Sequence, residues 1–216
     1  MCKTIQMSLL DALKWRYATK KFDTNKVISA SDLEKIKEGF SLSASSYGLQ
    51  PVELLLVHNK TIQSELLPLA MNQQQVAQAS HVAIFCVKTS LDADYVVDYF
   101  ERIKAIRETP DEILAPFRAH IIDTFGAKTP EDIQLWGTKQ AYLAMGNLLA
   151  VCADLNIDAC PMEGFEPQKI DDYFNLKAKG LKSVLLMPMG YRAEDDPFAS
   201  MKKVRKPLSE SVTEIL

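Results

Sequence analysis

The amino-acid sequence predicts an α+β fold in which a small sheet is sandwiched between helices. Three short segments are apolar and rich in branched residues, as buried strands are: Val52–Val57, Val82–Val87 and Ser183–Met189. Because their apolar residues are nearly continuous and do not alternate with polar ones, we expect helices to cover both faces of the sheet. A long apolar segment from Thr129 to about Leu155 predicts a central helix.

The composition is that of an ordinary globular protein. The chain has 216 residues, 47% of them hydrophobic and 25% charged, and no repeat or Pro/Gly/Ser-rich linker divides it. We therefore interpret residues 1–216 as one domain. A net charge of −3 gives no reason to expect a nucleic-acid partner. The first ten residues lack the apolar core of a signal peptide, and no run approaches the roughly 18 apolar residues of a membrane span. We expect a cytoplasmic protein without a membrane partner.

Helix-start signals precede and follow the predicted strands. Ser8 with Asp11 is typical of a first helix start, and Ser31 with Glu34 predicts the start of a second helix. Two amphipathic surface helices are predicted between the second and third strands: Asp92–Arg107 and Pro110–Phe125. After the third strand, the tail from Tyr191 has few helix signals until its last residues.

The central helix has the clearest start. Thr129 suits the N-cap and Pro130 the first helical position, and two acidic residues follow at the positive end of the helix dipole. From Ala141 to Ala153 the segment is apolar almost all round, with only Asn147 clearly polar. Such a helix is expected to be buried on every side, either in the middle of the domain or in a dimer interface.

The cysteines and histidines do not predict a metal site. The cysteines stand at positions 2, 86, 152 and 160 without a CxxC pair, and the three histidines form no metal-binding pattern. We interpret the cysteines as small buried apolar residues. The alternative is a reactive thiol at Cys2 or Cys160.

The motifs of several enzyme classes are absent, and polar clusters remain. The sequence has no dinucleotide-binding glycine motif, no phosphate-binding P-loop and no nucleophile elbow. Four polar clusters interrupt apolar surroundings: Arg16–Lys20, Ser43–Gln50, Pro161–Phe165 and Lys202–Lys206. Each alone is typical of a solvated helix end, a turn or a solvated face. The functional alternative for the first cluster is an anion site, because a phosphate monoester requires at least two charged donors.

Taken in order, these clusters carry a family resemblance along nearly the whole chain. The segments concerned are Ala12–Asp23 with its R-x-x-x-K-x-F pattern, Ser43–Pro51, Ala79–Cys86, Gly146–Leu149, Pro161–Phe165 and Lys203–Pro207. Together they resemble the FMN-dependent nitroreductase family, in particular its branch of oxygen-insensitive NAD(P)H nitroreductases and dihydropteridine reductases. Each motif alone is weak, and their shared order and spacing make the resemblance specific.

The resemblance implies a set of cofactor contacts. Arg16, Lys203 and Arg205 would hold the FMN phosphate, and Lys20 and Asn72 would lie at the pyrimidine edge of the flavin. Backbone atoms of Pro161, Met162, Glu163 and Gly164 would lie beside the ring, with an N–H of Glu163 or Gly164 directed at flavin N5. The remaining cofactor positions are Tyr17, Ala18, Gln75 and, partly from the other subunit, Ser45, Ser46, Gly48 and Gln50. The implied substrate positions are Lys20, Tyr47, Asn72 and Gly164.

The resemblance also implies an assembly and a reaction. The sheet would be mainly antiparallel, and the protein would be an intertwined homodimer with exchanged C-terminal tails and the central helix at the interface. Hydride would pass from NADH or NADPH to bound FMN and then, in a ping-pong mechanism, to a nitroaromatic, quinone or pterin. No side chain is implied as an obligatory acid–base catalyst. Two alternatives stay open: a flavin-consuming or dehalogenating enzyme of the same fold, and an FMN-binding or storage module.

Some positions depart from the family pattern. Tyr17 and Ala18 replace a common His-Ser pair, and Gln75 stands where a lysine is frequent. Val52-Glu53 follows Gln50-Pro51, where family members often have an aromatic residue. These departures bear on substrate range and redox potential, and they leave the implied phosphate contacts intact.

Overall fold

The sheet has four strands in the spatial order β1-β2-β4-β3, and every neighbouring pair is antiparallel. A computed structural model describes residues 8–215. The strands are β1 (Val52–Val57), β2 (His81–Lys88), β3 (Asp158–Ala159) and β4 (Leu181–Gly190). The three predicted strands are confirmed, with β2 and β4 slightly longer than expected, and the antiparallel arrangement is confirmed too. The two-residue β3 was not predicted, because so short a segment has no periodicity to detect.

Helices cover both faces of the central strands, as expected. Phe85 and Leu185 pair across β2 and β4 and pack on one face with Leu148 of the central helix. Their neighbours in the strands, Ile84 and Leu186, point to the opposite face because strand side chains alternate. The helices of the fold are α1 (Leu9–Trp15), α2 (Ala30–Ser41), α3 (Lys60–Leu66), α4 (Gln75–Gln78), α5 (Ala93–Arg107), α6 (Asp111–Gly126), α7 (Pro130–Asp154), α8 (Pro167–Tyr173) and α9 (Leu208–Ser211).

The predicted start of the second helix is wrong by two residues. The N-cap of α2 is Ser29, whose backbone is extended and whose hydroxyl accepts the Asp32 backbone N–H at 3.1 Å. Ser31 is therefore already inside the helix, and the Ser31–Glu34 box does not form. The sequence offers two serines with an acid three residues later, and local pattern alone does not choose between them. The predicted cap at Ser8 is confirmed, since its hydroxyl accepts the Asp11 N–H.

The other predicted helices are confirmed with bounds within about a turn. Thr129 caps α7 and forms a reciprocal capping box with Asp132. Helices α5 and α6 pack on each other through a separate apolar cluster that includes Phe100, Ile121 and Phe125. Among the helices of residues 8–215, none combines the length and the apolar character that crossing a membrane requires.

The expectation that α7 is buried on every side is wrong for the single chain. Ala141 and Leu148 are fully buried against the sheet, whereas Tyr142 and Leu143 are 46% and 50% exposed. Leu135 lies about two helical turns before Tyr142 on the same helix and is also exposed. The apolar composition of α7 thus predicts burial correctly on one side only, because residues 8–215 leave the other side partly exposed.

A buried histidine lies at the start of β2. His81 is only 3% exposed, and its Nδ1 lies 2.9 Å from the Ser80 hydroxyl. That hydroxyl accepts the Ile28 backbone N–H, so its own hydrogen is free for the ring nitrogen. Burial lowers the pKa of His81 from 6.5 to about 4, and the nearby positive charges of His58, Lys60 and Lys37 act in the same direction. The ring is therefore neutral in the folded protein at pH 7.

This histidine predicts a pH-dependent stability. Below pH 6.5 the unfolded chain protonates His81 while the folded chain does not, so the free energy of unfolding falls as the pH drops from 6.5 towards 4. The full effect is about 3 kcal/mol. Urea denaturation of a His81→Gln variant between pH 7 and 4.5 should show a much flatter dependence than the wild type. His120→Gln, at an exposed position on α6, is the control and should keep the wild-type slope; an unchanged slope in His81→Gln would contradict the assignment.

Candidate functional site

A cavity of about 640 Å³ brings together residues from three distant parts of the chain. The end of α1 and the segment after it contribute Arg16 and Lys20, and the loop after β3 contributes Pro161. The tail contributes Lys203 and Arg205. The first and fourth polar clusters of the sequence therefore meet in space, which their separation along the chain does not reveal.

Several positively charged side chains line this cavity, among them Arg16, Lys20, Lys203 and Arg205. Within residues 8–215, no salt bridge engages Arg16, Lys20, Lys203 or Arg205. Burial lowers the pKa of Arg16, and the charge of Arg205 lowers it further. The pKa of Lys203 is likewise lowered by burial first and then by Arg16 and Arg205. Cations held this close without a carboxylate make a site that an anion would stabilise.

Lys203 also fastens the tail to the first helix. Its ammonium group donates to the backbone carbonyls of Leu13, at 3.0 Å, and of Arg16. These carbonyls belong to the last turn and the C-cap of α1, where helix carbonyls lack partners within the helix. The lysine therefore has a structural contact in addition to its place on the cavity wall.

An ion pair lies beside this wall and joins the buried Asp158 to Arg192, whose side chain is 24% exposed. Arg192 Nε donates to Asp158 Oδ1 at 2.9 Å, and Nη2 lies 2.6 Å from the same oxygen in an ion-pair contact. The guanidinium lies over the rings of Trp15 and Tyr17, at 4.2 and 4.6 Å from their centroids. Sequence reasoning missed this arrangement, because only the fold brings Asp158 and Arg192 to the two residues that flank Arg16.

Tyr17 and Ala18, which depart from the pattern of the resembling family, both make contacts within the protein. The Tyr17 hydroxyl donates to Asp196 Oδ2 at 2.9 Å, and burial followed by this hydrogen bond raises the pKa of the phenol. Ala18 forms an isolated parallel bridge with Ala159. Both residues line the cavity, and the tyrosine hydroxyl is hydrogen-bonded within the protein.

The loop from Pro161 to Gly164 presents free backbone donors. Met162 pairs with Leu186 of β4, and the Phe165 N–H donates to the Glu163 carbonyl at 3.0 Å. Within residues 8–215, no hydrogen bond uses the N–H of Glu163 or Gly164. Two consecutive unpaired donors can bind an acceptor atom of a ligand, which agrees with the role implied for this loop.

Two side chains hold this loop. Gln73 Nε2 donates to the Gly164 carbonyl at 2.7 Å, and the Tyr142 hydroxyl donates to Glu163 Oε1 at 2.5 Å. A Cβ at position 164 would lie 3.1 Å from Gln73 Nε2, so glycine permits this close approach. Neither Gln73 nor Tyr142 was predicted from the sequence, because each acts through a contact between distant segments.

The turn before α4 lies beside the same loop. Met71 and Gln73 both face Gly164, which places the intervening Asn72 next to it, exposed and in a left-handed conformation (φ 56°). Gln75 is buried at the start of α4. The cavity of about 640 Å³ is named the cation cavity after the cationic side chains that line it: Arg16, Lys20, Lys203 and Arg205. Neither Asn72 nor Gln75 lines it.

The serine-rich segment lies elsewhere in the single chain. Ser45 and Gln50 line a second cavity of about 260 Å³, and Ser46, Tyr47 and Gly48 form a tight turn next to it. Gly48 has a φ of 73°, and a Cβ there would lie 2.2 Å from the Tyr99 hydroxyl oxygen, so another residue would strain the backbone and displace that side chain. None of these five residues lines the cation cavity. In the described part of a single chain, they therefore line a different place from Arg16 and Arg205.

The cysteines within residues 8–215 match the structural interpretation. Cys86, Cys152 and Cys160 are buried and unpaired. Burial raises the pKa of the Cys160 thiol, although Lys20 and Arg16 act in the opposite direction. A protonated buried thiol is a poor nucleophile, so the alternative of a reactive Cys160 is not favoured. Cys2 lies outside the described residues.

Comparison with known proteins adds sequence and structural relatives. The model of the nitroreductase family matches residues 13–191. The chain is 33% identical to an oxygen-insensitive NAD(P)H nitroreductase of Enterobacter cloacae, over 96% of this chain and 100% of the relative. It is 32% identical to the enzyme of that name from Salmonella typhimurium, over 97% and 100%. A protein of Exiguobacterium sibiricum described as a nitroreductase, and crystallised with FMN, has a similar fold. It is 21% identical, with a TM-score of 0.85 over 97% of this chain and 98% of that one.

Proposed function

The chain belongs to the nitroreductase family, and we propose that it is an FMN-dependent oxidoreductase that takes electrons from NADH or NADPH. The observation that carries the proposal is the meeting of Arg16, Lys203 and Arg205 at one cavity that also contains Pro161. Two curated relatives, each matched over its full length, are named NAD(P)H nitroreductases, and a structural relative was crystallised with FMN.

The residues of the cavity fit this cofactor. A phosphate monoester carries about two negative charges near neutral pH, which matches a cluster of cations that has no carboxylate partner. Arg16, Lys203 and Arg205 would hold the phosphate. A cavity of about 640 Å³ has the size of a small-molecule site, which spans roughly 300–1,000 Å³. When bound, FMN supplies the hydride chemistry.

The chain's own groups would orient the flavin and polarise its reactive edge. The free N–H groups of Glu163 and Gly164 would donate to the reactive nitrogen edge, and Gln73 and Tyr142 hold the loop that carries them. Lys20, also on the cavity wall, would stabilise negative charge at the pyrimidine edge, beside which we also place Asn72.

The first test separates this function from flavin storage. Purified protein should be yellow and should release about one FMN per chain on denaturation. Anaerobic mixing with NADH or NADPH should bleach the flavin rapidly, because a reductase accepts hydride from the nicotinamide. A yellow protein that neither donor bleaches would favour the storage module, and a colourless protein that added FMN does not stain would contradict both.

The second test addresses the phosphate clamp. Hydrogen bonds between charged partners contribute roughly 1.5–3 kcal/mol, so Arg16→Ala or Arg205→Ala should weaken FMN binding about ten- to a hundredfold. Riboflavin, which lacks the phosphate, should bind almost unchanged, and the double variant should be less than additive. Fluorescence titration measures both affinities. Equal losses for the two ligands would indicate general destabilisation and no phosphate contact.

The third test concerns the order of binding. We propose that the nicotinamide and a nitroaromatic, quinone or pterin acceptor occupy one site in turn. Initial rates over a grid of donor and acceptor concentrations should then give parallel double-reciprocal lines. Intersecting lines would show that both substrates bind together, and the shared-site proposal would fail.

We further propose a homodimer in which α7 lies at the interface. The exposed side of α7 carries Leu135, Tyr142 and Leu143, and the tail beyond Pro207 carries Leu208 and Ile215, which are 79% and 95% exposed. Lys203 remains attached to its own α1, so only the residues that follow are free to be exchanged. A partner would cover these apolar groups and bring its serine-rich segment to the cation cavity.

The dimer should be stable, because obligate interfaces are large and apolar, often above roughly 2,000 Å². Light scattering at low micromolar protein should give about twice the chain mass of 24.2 kDa. Leu143→Glu should shift the mass towards that of the monomer, since it places a charge in the apolar interface. Val27→Glu, at an exposed position outside α7, is the matched control. A wild-type protein that stays monomeric would contradict the interface.

A further inference from the structure

One buried carboxylate joins the two distant segments of the cation cavity. Asp196 is only 4% exposed, and its Oδ2 accepts the Tyr17 hydroxyl at 2.9 Å and the backbone N–H groups of Lys20 and Lys21 at 2.9 and 3.1 Å. Its Oδ1 accepts the Phe198 N–H at 2.9 Å. Four donors from both segments therefore meet on one side chain.

The carboxylate is ionised despite its burial. Burial acts to raise the pKa of Asp196, but the hydrogen bonds from Phe198, Lys20, Lys21 and Tyr17 outweigh it and hold the pKa below its usual value. Within residues 8–215, no lysine or arginine forms a salt bridge with it. Its charge is stabilised by neutral donors, so the cations of the cavity stay available.

By electrostatics alone, this charge is unfavourable for the site. A negative group that contacts the wall of an anion-binding cavity repels the anion. The neighbouring Asp195 is different, because its side chain is 70% exposed and paired with Lys21. The repulsion between this buried carboxylate and a bound anion must therefore be outweighed by a geometric role of the carboxylate.

We propose that Asp196, together with the Tyr17 hydroxyl, is a positioning residue for the cofactor phosphate site. It fixes the Arg16–Lys20 segment to the start of the tail, so that the guanidinium and ammonium groups of both segments converge on one anion. The inference rests on the proposed function in taking the anion to be the FMN phosphate. Phe198, held by the same carboxylate, lies with its ring 5.7 Å from Lys20 Nζ, which continues the contact to the cavity wall.

The test uses substitutions that preserve shape in the full-length chain. Asp196→Asn removes the charge and places an NH₂ group against N–H or O–H donors, whichever way the amide is turned. Tyr17→Phe removes a single hydroxyl and keeps a ring against Arg192. Asp195→Asn removes the same charge one residue away, at an exposed position, and is the matched control.

The measured quantities are the dissociation constants of FMN and riboflavin for the flavin-free protein. Asp196→Asn should weaken FMN about tenfold or more and reduce the preference for FMN over riboflavin, since hydrogen bonds to a charged group are at stake. Tyr17→Phe should act in the same direction by about three- to tenfold. Asp195→Asn should leave the preference unchanged. Tighter FMN binding by Asp196→Asn would show that its charge merely repels the ligand, and the positioning role would be overturned. Equal losses for FMN and riboflavin would overturn it too.

A second readout does not depend on any flavin. The backbone amides of Lys20 and Lys21 should exchange slowly with solvent in the wild type and much faster in Asp196→Asn, while those of β2 stay protected in both. If the wild type binds neither FMN nor riboflavin, the proposed function fails, whereas the exchange result still reports on the contact itself. Suppose instead that the wild type binds FMN and prefers it to riboflavin. If neither Tyr17→Phe nor Asp196→Asn changes that affinity or that preference, only the positioning inference fails.

Discussion

The arrangement of the candidate site depends on the buried ion pair between Asp158 and Arg192. Asp158 lies in β3, and Arg192 follows β4 and packs between Trp15 and Tyr17. The Asp158 carboxylate also accepts the Arg192 backbone N–H at 2.8 Å, so both the main chain and the side chain are fixed. Removing one partner of a buried pair costs about 3–5 kcal/mol, because it leaves the other charge uncompensated. The pair therefore commits the end of α1 to one place at the edge of the sheet, and Arg16 is carried with it.

Local pattern predicted the longer elements but not the contacts that join them. The three longer strands, the Ser8 cap and the Thr129 cap follow from periodicity and capping chemistry within a few residues, whereas β3, α3, α4 and α8 were not predicted. Asp158, Arg192 and Asp196 act through contacts that span more than 30 residues of sequence, and no local signal marks them. The exposed side of α7 shows a related limit: apolar composition predicts that a surface is covered, but it does not say by which chain. The family resemblance implied that Arg16 and Arg205 act together, whereas periodicity alone leaves them as two separate solvated segments.

Within the described part of one chain, the residues of the proposed site lie in two separate places. Arg16, Lys203 and Arg205 line one cavity together with Pro161, whereas Ser45 and Gln50 line another. In the proposed function, the phosphate would contact only the first set, and a partner chain would bring the second set to it. Gln75, buried at the start of α4, lies outside the segments that carry Arg16 and Arg205.

The place of Lys203 in the chain has a consequence for biosynthesis. Its ammonium group closes over the carbonyl end of α1, a helix made near the beginning of translation, yet Lys203 follows every strand of the sheet. Domains emerge from the ribosome starting with their N-terminal elements. β4 ends at Gly190, so close to Lys203 that the ribosomal exit tunnel still covers this strand when Lys203 is added. The sheet and the cavity wall are therefore completed in the same late stage of synthesis, and a chain cut just before Lys203 would keep its four described strands but lose two cations of the cavity, Lys203 and Arg205.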